Sequence, residues 1–374
     1  MRTGRILLAA TVLASAAIAA AEEPSWPWPG PTPPKIVDAM MKKSGYRRPN
    51  ARELKQMADA LPEQPPATPA RPRKVLCWGR LWTHPGNGFA EETVKLLGRR
   101  TKAFEVVASD DPRLLLPESL KGFDAIFLNG LHDRQPFLPP NFASLSPKEQ
   151  AAAKELDRKV KQSLLKFVKE DGKGIAGIEG SICALRDWKE FGQMMGAFYN
   201  GHYWGDHVIK VEDPTHPVAA CLAGKQWRLR DQIYAPGRPY SRKNLRVLLS
   251  VDLTQLKDPG DKTPVPWLSK ATAKRDDYPI SWVRKHGRGR VFYCSLGVNI
   301  KTYLDPLFLR YLLAGIQFAI GDLPGDTTPS EPSDGTVATS SAARYDRTQF
   351  MRENPCPTRP VAIRACRFRQ ASDG

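Results

Sequence analysis

Short segments that are apolar along their whole length alternate with longer amphipathic segments through the middle of this chain. Four segments show the first pattern: residues 74–79, 104–108, 124–129 and 174–180. Residues 91–100 and 147–170 show the second, with apolar side chains recurring every three or four positions. A strand that is apolar on both faces has to be covered on both faces, which is typical of a parallel sheet between two layers of helices. The alternation therefore predicts an α/β fold.

The second half of the chain carries shorter strand patterns and fewer helices. Strands are predicted at residues 208–211, 229–234, 246–251, 280–284 and 290–294. The last two flank a loop that contains Gly287 and Gly289, which favours a hairpin. Helices are predicted at residues 182–195, directly after the fourth apolar strand, and at residues 305–320. We expect a three-layer sandwich whose mostly parallel sheet has an antiparallel extension.

The first residues have the order of a secretory signal peptide. Arg2 and Arg5 precede an uncharged apolar run at residues 6–20, and the small residues 19–21 offer a cleavage site. The run is shorter than the ~20 residues of a permanent transmembrane helix, although a retained membrane anchor is the alternative. We expect residues 1–21 to be removed and the mature protein, without a membrane span, to be periplasmic or secreted.

Two segments flank the predicted domain of residues 72–323. Residues 22–71 form a proline-rich lead with short helices at 35–43 and 51–61, which we expect to pack on the domain as a strap. Residues 324–374 are rich in Ser, Thr, Pro, Arg and Asp, so they bury too little apolar surface to offset chain entropy. We predict a low-complexity, disordered tail there.

The formal net charge of +17 does not by itself predict a nucleic-acid-binding protein. A phosphate-binding surface concentrates Lys and Arg on one element or among aromatic residues, whereas here the basic residues are scattered. We expect no nucleic-acid partner. One alternative is surface attachment, in which the basic tail contacts an anionic polymer. The sequence does not indicate the oligomeric state.

Neither the cysteines nor any nucleotide or hydrolase motif predicts a metal or a cofactor. The six cysteines, at positions 77, 183, 221, 294, 356 and 366, contain no CxxC pair. Cys77 and Cys294 lie in apolar strand patterns, where a buried free thiol is expected, and Cys356 and Cys366 could pair with each other or with nothing. No P-loop, HExxH or GxSxG motif is present, and no GxGxxG joins a strand to a helix. We therefore predict no metal site and no cofactor.

Several short motifs follow one another in an order that resembles a known family. They are Thr83-His84-Pro85, the glycine-rich turn at residues 172–180, Met195-Gly196-Ala197-Phe198 with Gly201-His202, Thr215-His216-Pro217-Val218, Asp231-Gln232-Ile233-Tyr234 and the hairpin at residues 289–297. This order resembles the ThuA-like (trehalose-utilisation) family. The resemblance implies a flavodoxin-like or class I glutamine amidotransferase-like fold, and a link to the catabolism of trehalose and other sugars.

Three positions depart from the usual pattern of that family. Glu179 stands where a histidine is common, Gln232 replaces the glutamate of Asp-Glu-x-Tyr, and Val298 replaces the histidine of Leu-Gly-His. Amidotransferases of this fold place a nucleophilic cysteine at the turn that here holds Glu179. The glutamate therefore argues against glutamine amidotransferase activity.

Ligands of doubly wound sheets bind beyond the carboxyl ends of the strands. This rule predicts one pocket surrounded by residues 78–84, 129–132 and 179–182 and by loops at residues 200–206. Glu179 and His84 lie at two such ends and are our catalytic candidates, as general acid or base. The expected N-terminus of the following helix would favour a carboxylate at position 179. Each residue has a structural alternative: Glu179 as a cap or loop anchor, and His84 as a capping or solvated side chain. His132, beside Asp133, follows the third strand and faces the same edge.

A second group of candidates is expected to contact the substrate. The group comprises His202, Tyr203, Trp204, Asp206, Asp231 and Tyr234. Aromatic rings beside polar groups suit carbohydrates, whose C–H faces stack on them. His202, Asp206 and His207 could instead bind zinc. The two aromatic residues could pack in the core or in a lid, and Asp231 could pair with nearby arginines.

The sequence leaves two main hypotheses open. In the first, an exported enzyme of carbohydrate metabolism modifies trehalose or a related small-molecule sugar derivative in a pocket at the carboxyl edge of the sheet. In the second, the chain keeps the fold as a non-catalytic carbohydrate-binding or scaffold protein. Convergence of His84, Glu179, His202 and Asp231 in one cleft would support a site, and dispersal would leave only the fold.

Overall fold

The computed structural model describes residues 29–252 and 277–331. The predicted signal peptide, the tail beyond residue 331, Cys356 and Cys366 lie outside the described residues. Cys77, Cys183, Cys221 and Cys294, which lie within them, form no disulfide bond in this part of the chain. In this part of the chain no helix is both long enough and apolar enough to cross a lipid bilayer.

Nine strands form one mixed sheet in the described residues. In chain order they are β1 (Lys74–Trp78), β2 (Glu105–Ser109), β3 (Ala125–Leu128), β4 (Gly174–Ile178), β5 (Phe198–Val211), β6 (Trp227–Gly237), β7 (Arg246–Val251), β8 (Pro279–His286) and β9 (Gly289–Cys294). Across the sheet the order is β2-β1-β3-β4-β9-β8-β7-β5-β6. The pairings from β2 to β9 are parallel, and those from β9 to β6 are antiparallel.

The predicted mostly parallel sheet is therefore matched only in part, because half of these pairings are antiparallel. The antiparallel extension is larger than expected because β5 and β6 are long strands that pair along most of their length. Residues 200–206, which we expected to form a loop, belong to β5.

Helices cover both faces of the parallel strands. They are α1 (Pro34–Ser44), α2 (Ala51–Ala60), α3 (Asn87–Thr101), α4 (Pro117–Leu120), α5 (Pro147–Lys169), α6 (Lys189–Met195) and α7 (Pro306–Ile320). Alternate residues of β1 face two separate cores: Val75 and Cys77 pack with α3 and α7, whereas Leu76 and Trp78 pack with α5 and α6. The fold is thus a three-layer α/β sandwich in this region.

The helix expected at residues 182–195 is shorter than predicted. Glu179–Ile182 form a 3₁₀ turn instead of entering an α-helix. Leu185 then has a φ of 52°, in the left-handed region that no α-helix accommodates. Helix α6 consequently begins only at Lys189, and the expected effect of a helix N-terminus on Glu179 is absent.

The lead segment packs on the sandwich through both of its helices. Val37 and Met41 of α1 contact Leu81 and Trp82, which follow β1. Met57 of α2 is fully buried in the core that also contains α3. The segment between these helices therefore lies near the carboxyl end of β1.

Candidate functional site

The junction after β4 presents Glu179 at the carboxyl edge of the sheet. Its backbone has a φ of 52°, a conformation that costs a residue with a side chain about 1–2 kcal/mol. The Tyr293 hydroxyl donates a 2.8 Å hydrogen bond to the Glu179 carbonyl, and the Gly180 N–H donates one of 2.7 Å to the carboxylate Oε2. The surrounding structure thus holds an acid in a strained position, and such strain clusters at functional sites.

Two imidazoles reach the same carboxyl group from the ends of neighbouring parallel strands. His84 follows β1 and His132 follows β3, and their rings stack with centroids 4.1 Å apart and 10° between the planes. His84 Nδ1 contacts Glu179 Oε1, and His132 Nε2 lies 3.6 Å from the same oxygen. All three side chains are buried. We call His84, His132 and Glu179 the central cluster.

His132 was not among our catalytic candidates, although it lies at the middle of the central cluster. A Cβ at Gly180 would overlap the His132 ring, so a glycine at this position allows the imidazole to approach. His132 follows β3 as His84 follows β1, so the rule that selected His84 applied equally to it. A glycine at position 180, in the turn after the fourth strand, was a second indication in the sequence that another group approaches the backbone closely there.

Tyr234 joins the central cluster from the antiparallel half of the sheet. Its hydroxyl lies 3.3 Å from Glu179 Oε1 and 3.2 Å from His132 Nε2. His132 Nδ1 lies 2.9 Å from the carbonyl oxygen of Gly130. Because a carbonyl only accepts, Nδ1 carries the ring proton and Nε2 carries the lone pair. The Tyr234 hydroxyl can therefore donate to the carboxylate or to His132, but not to both at once.

Burial is the main influence on protonation in the central cluster. It raises the pKa of Glu179, against the opposing effects of His132, the Gly180 N–H and the Tyr234 hydroxyl. It lowers the pKa of His84 to about 3 and that of His132 to about 4. Both rings are neutral near pH 7, so the contact between His84 and Glu179 is not a pair of opposite charges. Of the three groups, Glu179 is the one most disposed to hold a proton.

The face of β5 that carries His202 borders the central cluster. His202 pairs across the strands with Tyr234, and their rings lie 6.2 Å apart. The Tyr199 hydroxyl lies 2.6 Å from His202 Nδ1, and His202 is half-buried. Trp204 follows on the same face with 43% of its surface exposed, and Asp206 beyond it forms an exposed ion pair. His202 is thus at the rim of the site, and Asp206 is farther out in solvent.

Tyr203 and His207 lie on the opposite face of β5. Their rings are 5.5 Å apart, and His207 Nε2 lies 3.0 Å from the carbonyl oxygen of Asp231. Because side chains alternate along a strand, His202 and Asp206 point away from His207. The structure therefore does not bring these three residues together as zinc ligands.

Asp231 anchors a loop and is not part of the central cluster. It stands three positions before Tyr234 on β6, so the two side chains point to opposite faces. Its buried carboxylate accepts four hydrogen bonds of 2.6–2.8 Å, from the backbone N–H groups of Gln232, Gly297 and Asn299 and from the Thr302 hydroxyl. Burial raises the pKa of Asp231 to about 7, against these four bonds. The expected convergence therefore includes His84, Glu179 and His202, but not Asp231.

Tyr46, from the lead segment, lies over the central cluster. Its ring centroid is 6.3 Å from that of His84, and burial together with the charge of Glu179 raises its pKa. Two cavities, of about 510 and 360 Å³, lie beside α2 and beside α7, and neither is lined by a residue of the central cluster. The pocket at the carboxyl edge therefore stays a prediction.

The match to a known protein family covers the part of the chain that forms the sheet. The family model ThuA, described as trehalose utilisation, matches residues 74–319. No curated protein matches the chain in sequence.

Several solved structures are similar to the chain. A ThuA-like protein from Bacteroides uniformis is 16% identical, with the similarity covering 69% of this chain and 93% of that one at a TM-score of 0.48. A ThuA-like protein from Parabacteroides merdae is 13% identical, over 72% of this chain and 96% of that one, with a TM-score of 0.44. A β-galactosidase from Bacillus circulans is 12% identical, over 73% and 34% of the two chains, with a TM-score of 0.36.

Proposed function

The chain belongs to the ThuA (trehalose utilisation) family, and from this premise we propose that it is an exported protein of carbohydrate metabolism. It modifies trehalose or a related sugar derivative, including oxidised sugars, and its reactive groups are Glu179, His84 and His132. The observation that carries the proposal is the meeting of one buried carboxyl group and two neutral imidazoles on a strained turn at the carboxyl edge of the sheet.

The central cluster suits the transfer of a proton to or from a sugar hydroxyl or a carbon beside a carbonyl. Burial raises the pKa of Glu179, so this carboxyl group keeps its proton to a higher pH than an exposed one, and a neutral imidazole can receive a proton. General acid–base groups positioned in this way contribute about 10²–10⁴-fold to a rate. Glu179 is therefore the first proton carrier, with His84 as its neighbour.

The rim beside the central cluster suits a carbohydrate. Tyr234 and His202 offer groups that donate and accept hydrogen bonds, and the exposed ring of Trp204 offers a face on which sugar C–H groups stack. Entry from the His202 side would bring a sugar to the Tyr234 hydroxyl, which already contacts Glu179. We assign His202, Tyr234 and Trp204 to substrate binding on these grounds.

A second function is favoured by one observation, which is the burial of all three reactive side chains. In that alternative the chain binds a carbohydrate at the His202 rim without converting it. Saturable binding without turnover would support this alternative and would contradict the enzymatic proposal.

The experiment uses the purified chain without residues 1–21, tested against a panel of disaccharides and their keto derivatives. Calorimetry measures binding, and mass spectrometry of the sugar products measures turnover. The variants Glu179→Gln and His84→Ala should each lower turnover by about 10²–10⁴-fold. The matched controls Glu118→Gln, at an exposed carboxylate, and His286→Ala, at the β8–β9 hairpin, should retain it. Turnover that persists in both site variants would show that the assigned roles are wrong.

Export is tested separately from chemistry. The full chain is expressed in a Gram-negative bacterium, and the periplasmic fraction is analysed by N-terminal sequencing. We expect a mature N-terminus at Glu22. An intact Met1 in the cytoplasmic fraction would contradict the signal peptide.

A further inference from the structure

The central cluster brings together ring nitrogens and carboxylate oxygens that can each donate an electron pair. One ligand atom each from His84, His132 and Glu179 lies within 4.8 Å of the others. His132 Nδ1 carries the ring proton and donates it to the Gly130 carbonyl oxygen, so Nε2 carries a lone pair. His84 Nδ1 is buried, and its contact with Glu179 Oε1 does not have the geometry of a hydrogen bond.

When Glu179 is ionised, the single proton of the Tyr234 hydroxyl cannot satisfy these three acceptors. The Tyr234 hydroxyl is in reach of Glu179 Oε1 and His132 Nε2, and it carries a single proton. Buried polar atoms without a partner are costly and uncommon. A cation among the three acceptors would satisfy all of them together, which a hydrogen bond from Tyr234 does not.

The residue types and their surroundings suit a transition metal. Two imidazoles and one carboxylate are the protein ligands of several catalytic zinc sites, which keep a further position open for water or substrate. Ligands at about 2.1 Å in a tetrahedron lie about 3.4 Å apart, and His132 Nε2 lies 3.6 Å from Glu179 Oε1. The Gly130 carbonyl fixes the orientation of His132, as second partners of metal-binding histidines commonly do.

We propose that His84, His132 and Glu179 bind one divalent transition-metal ion of the zinc class, with the Tyr234 hydroxyl beside it. This inference rests on the proposed function and refines it: in the metal-loaded protein the ion would take the place of the proton on Glu179, and the three residues would act as its ligands. A metal held by these three residues would supply a Lewis acid toward a sugar oxygen. The binding of the ion itself requires no sugar, so the two proposals can fail separately.

The experiment measures metal binding by the purified chain without an affinity tag, after treatment with a chelator. Calorimetry with Zn²⁺ should show one ion bound per chain, and Co²⁺ should give the visible absorption of a four- or five-coordinate site. Removing an outer partner of a metal costs about 10–100-fold in affinity, so we expect His84→Ala, His132→Ala and Glu179→Gln each to weaken binding ~100-fold or more.

The controls separate loss of a ligand from loss of the fold. Glu118→Gln and His286→Ala should bind Zn²⁺ like the unaltered chain, and Tyr234→Phe should weaken binding less than any ligand variant. Glu179→Gln keeps the side-chain volume, and its circular dichroism spectrum should match that of the unaltered chain. Absence of saturable Zn²⁺ and Co²⁺ binding, or equal binding by all three ligand variants, would overturn the metal site.

Sugar assays on metal-free and metal-loaded protein distinguish the two proposals. Metal binding without any sugar binding or turnover would refute the proposed function and leave the metal site intact. Turnover that is undiminished after chelation, with no metal bound, would refute the metal site and leave the proposed function intact.

Discussion

The two halves of the sheet contribute to the site in different ways. In the parallel half, His84, His132 and Glu179 come from positions just beyond the ends of β1, β3 and β4. In the antiparallel half, Tyr234 and His202 come from within β6 and β5, where they stand opposite each other. Positions beyond strand ends are brought together by the order of the strands. Positions within strands are brought together by register and by which face they occupy.

This difference predicts a division of roles. The parallel half holds the three residues of the central cluster and the strained backbone of Glu179, whereas the antiparallel half holds the rim and the Asp231 anchor. We expect changes in the parallel half to lower turnover, and changes in the antiparallel half to alter stability or substrate affinity.

The largest effect is expected for Glu179→Gln in the parallel half. The amide cannot carry the proton, so kcat should fall by about 10²–10⁴-fold, while KM changes little. Steady-state kinetics with the sugar identified in the panel provides the measurement. Glu118→Gln is the control, because that carboxylate is exposed. An unchanged kcat would show that the reactive groups do not lie in the parallel half.

The next effect concerns stability, and it belongs to the antiparallel half. Asp231→Asn would turn an amide donor toward the N–H and hydroxyl donors that now bind the carboxylate. We expect the free energy of unfolding to fall by about 2–4 kcal/mol, measured by urea titration. Asp206→Asn, at an exposed ion pair, should change it by less than about 0.5 kcal/mol. Equal stability of the two variants would mean that Asp231 is not an anchor.

An effect of similar size is expected in the response of the metal-free protein to acid. In the unfolded chain His132 is protonated below about pH 6.5, whereas in the folded chain its pKa is lowered to about 4. The folded state therefore binds fewer protons in this window. The resulting stability is complete above pH 6.5 and is lost as the pH falls toward 4, by up to ~1.4 kcal/mol per pH unit.

The variant His132→Gln lacks this titration, so its free energy of unfolding should decline less between pH 6.5 and 4. Urea titrations at several pH values compare the two proteins. A steeper decline in the variant than in the unaltered chain would contradict the burial of a neutral His132.

The smallest effect is expected for Trp204→Ala, at the rim of the antiparallel half. Because 43% of this residue is exposed, its removal should change stability by less than ~1 kcal/mol. If sugars stack on the ring, affinity should fall about tenfold, which corresponds to about 1.4 kcal/mol. Calorimetry with the bound sugar checks this. Unchanged affinity would remove Trp204 from the binding surface.

The sequence predicted the parallel half more accurately than the antiparallel half. Strands β1, β3 and β4 agree with their predicted segments because a run that is apolar on both faces has few alternative structures. Half-exposed β5 mixes polar, aromatic and glycine residues, so its first part resembled a loop. A register shift between Tyr199 and His202 adds an irregularity that no local pattern indicates.

In the candidate site, the residues at strand ends could be predicted from the sequence, whereas the positions of residues within β5 and β6 could not. Strand ends identified Glu179 and His84, and the same rule indicated the edge on which His132 lies. The faces of Asp231 and Tyr234 depend on the pairing of β6 with β5, which composition does not fix. The 3₁₀ turn after Glu179 depends on packing against Tyr293 and His132, which are distant in the chain. Contacts of this kind could not be inferred from neighbouring residues.

The left-handed backbone at position 179 has a consequence for how this protein would respond to selection. Glycine tolerates that conformation without a steric penalty, and it would bring no acid into the interior. A mutant library selected only for thermal stability should therefore be enriched in glycine at position 179. The selected proteins should have a higher melting temperature and no enzymatic activity. Retention of glutamate under such selection would mean that the acid contributes to folding as well as to chemistry.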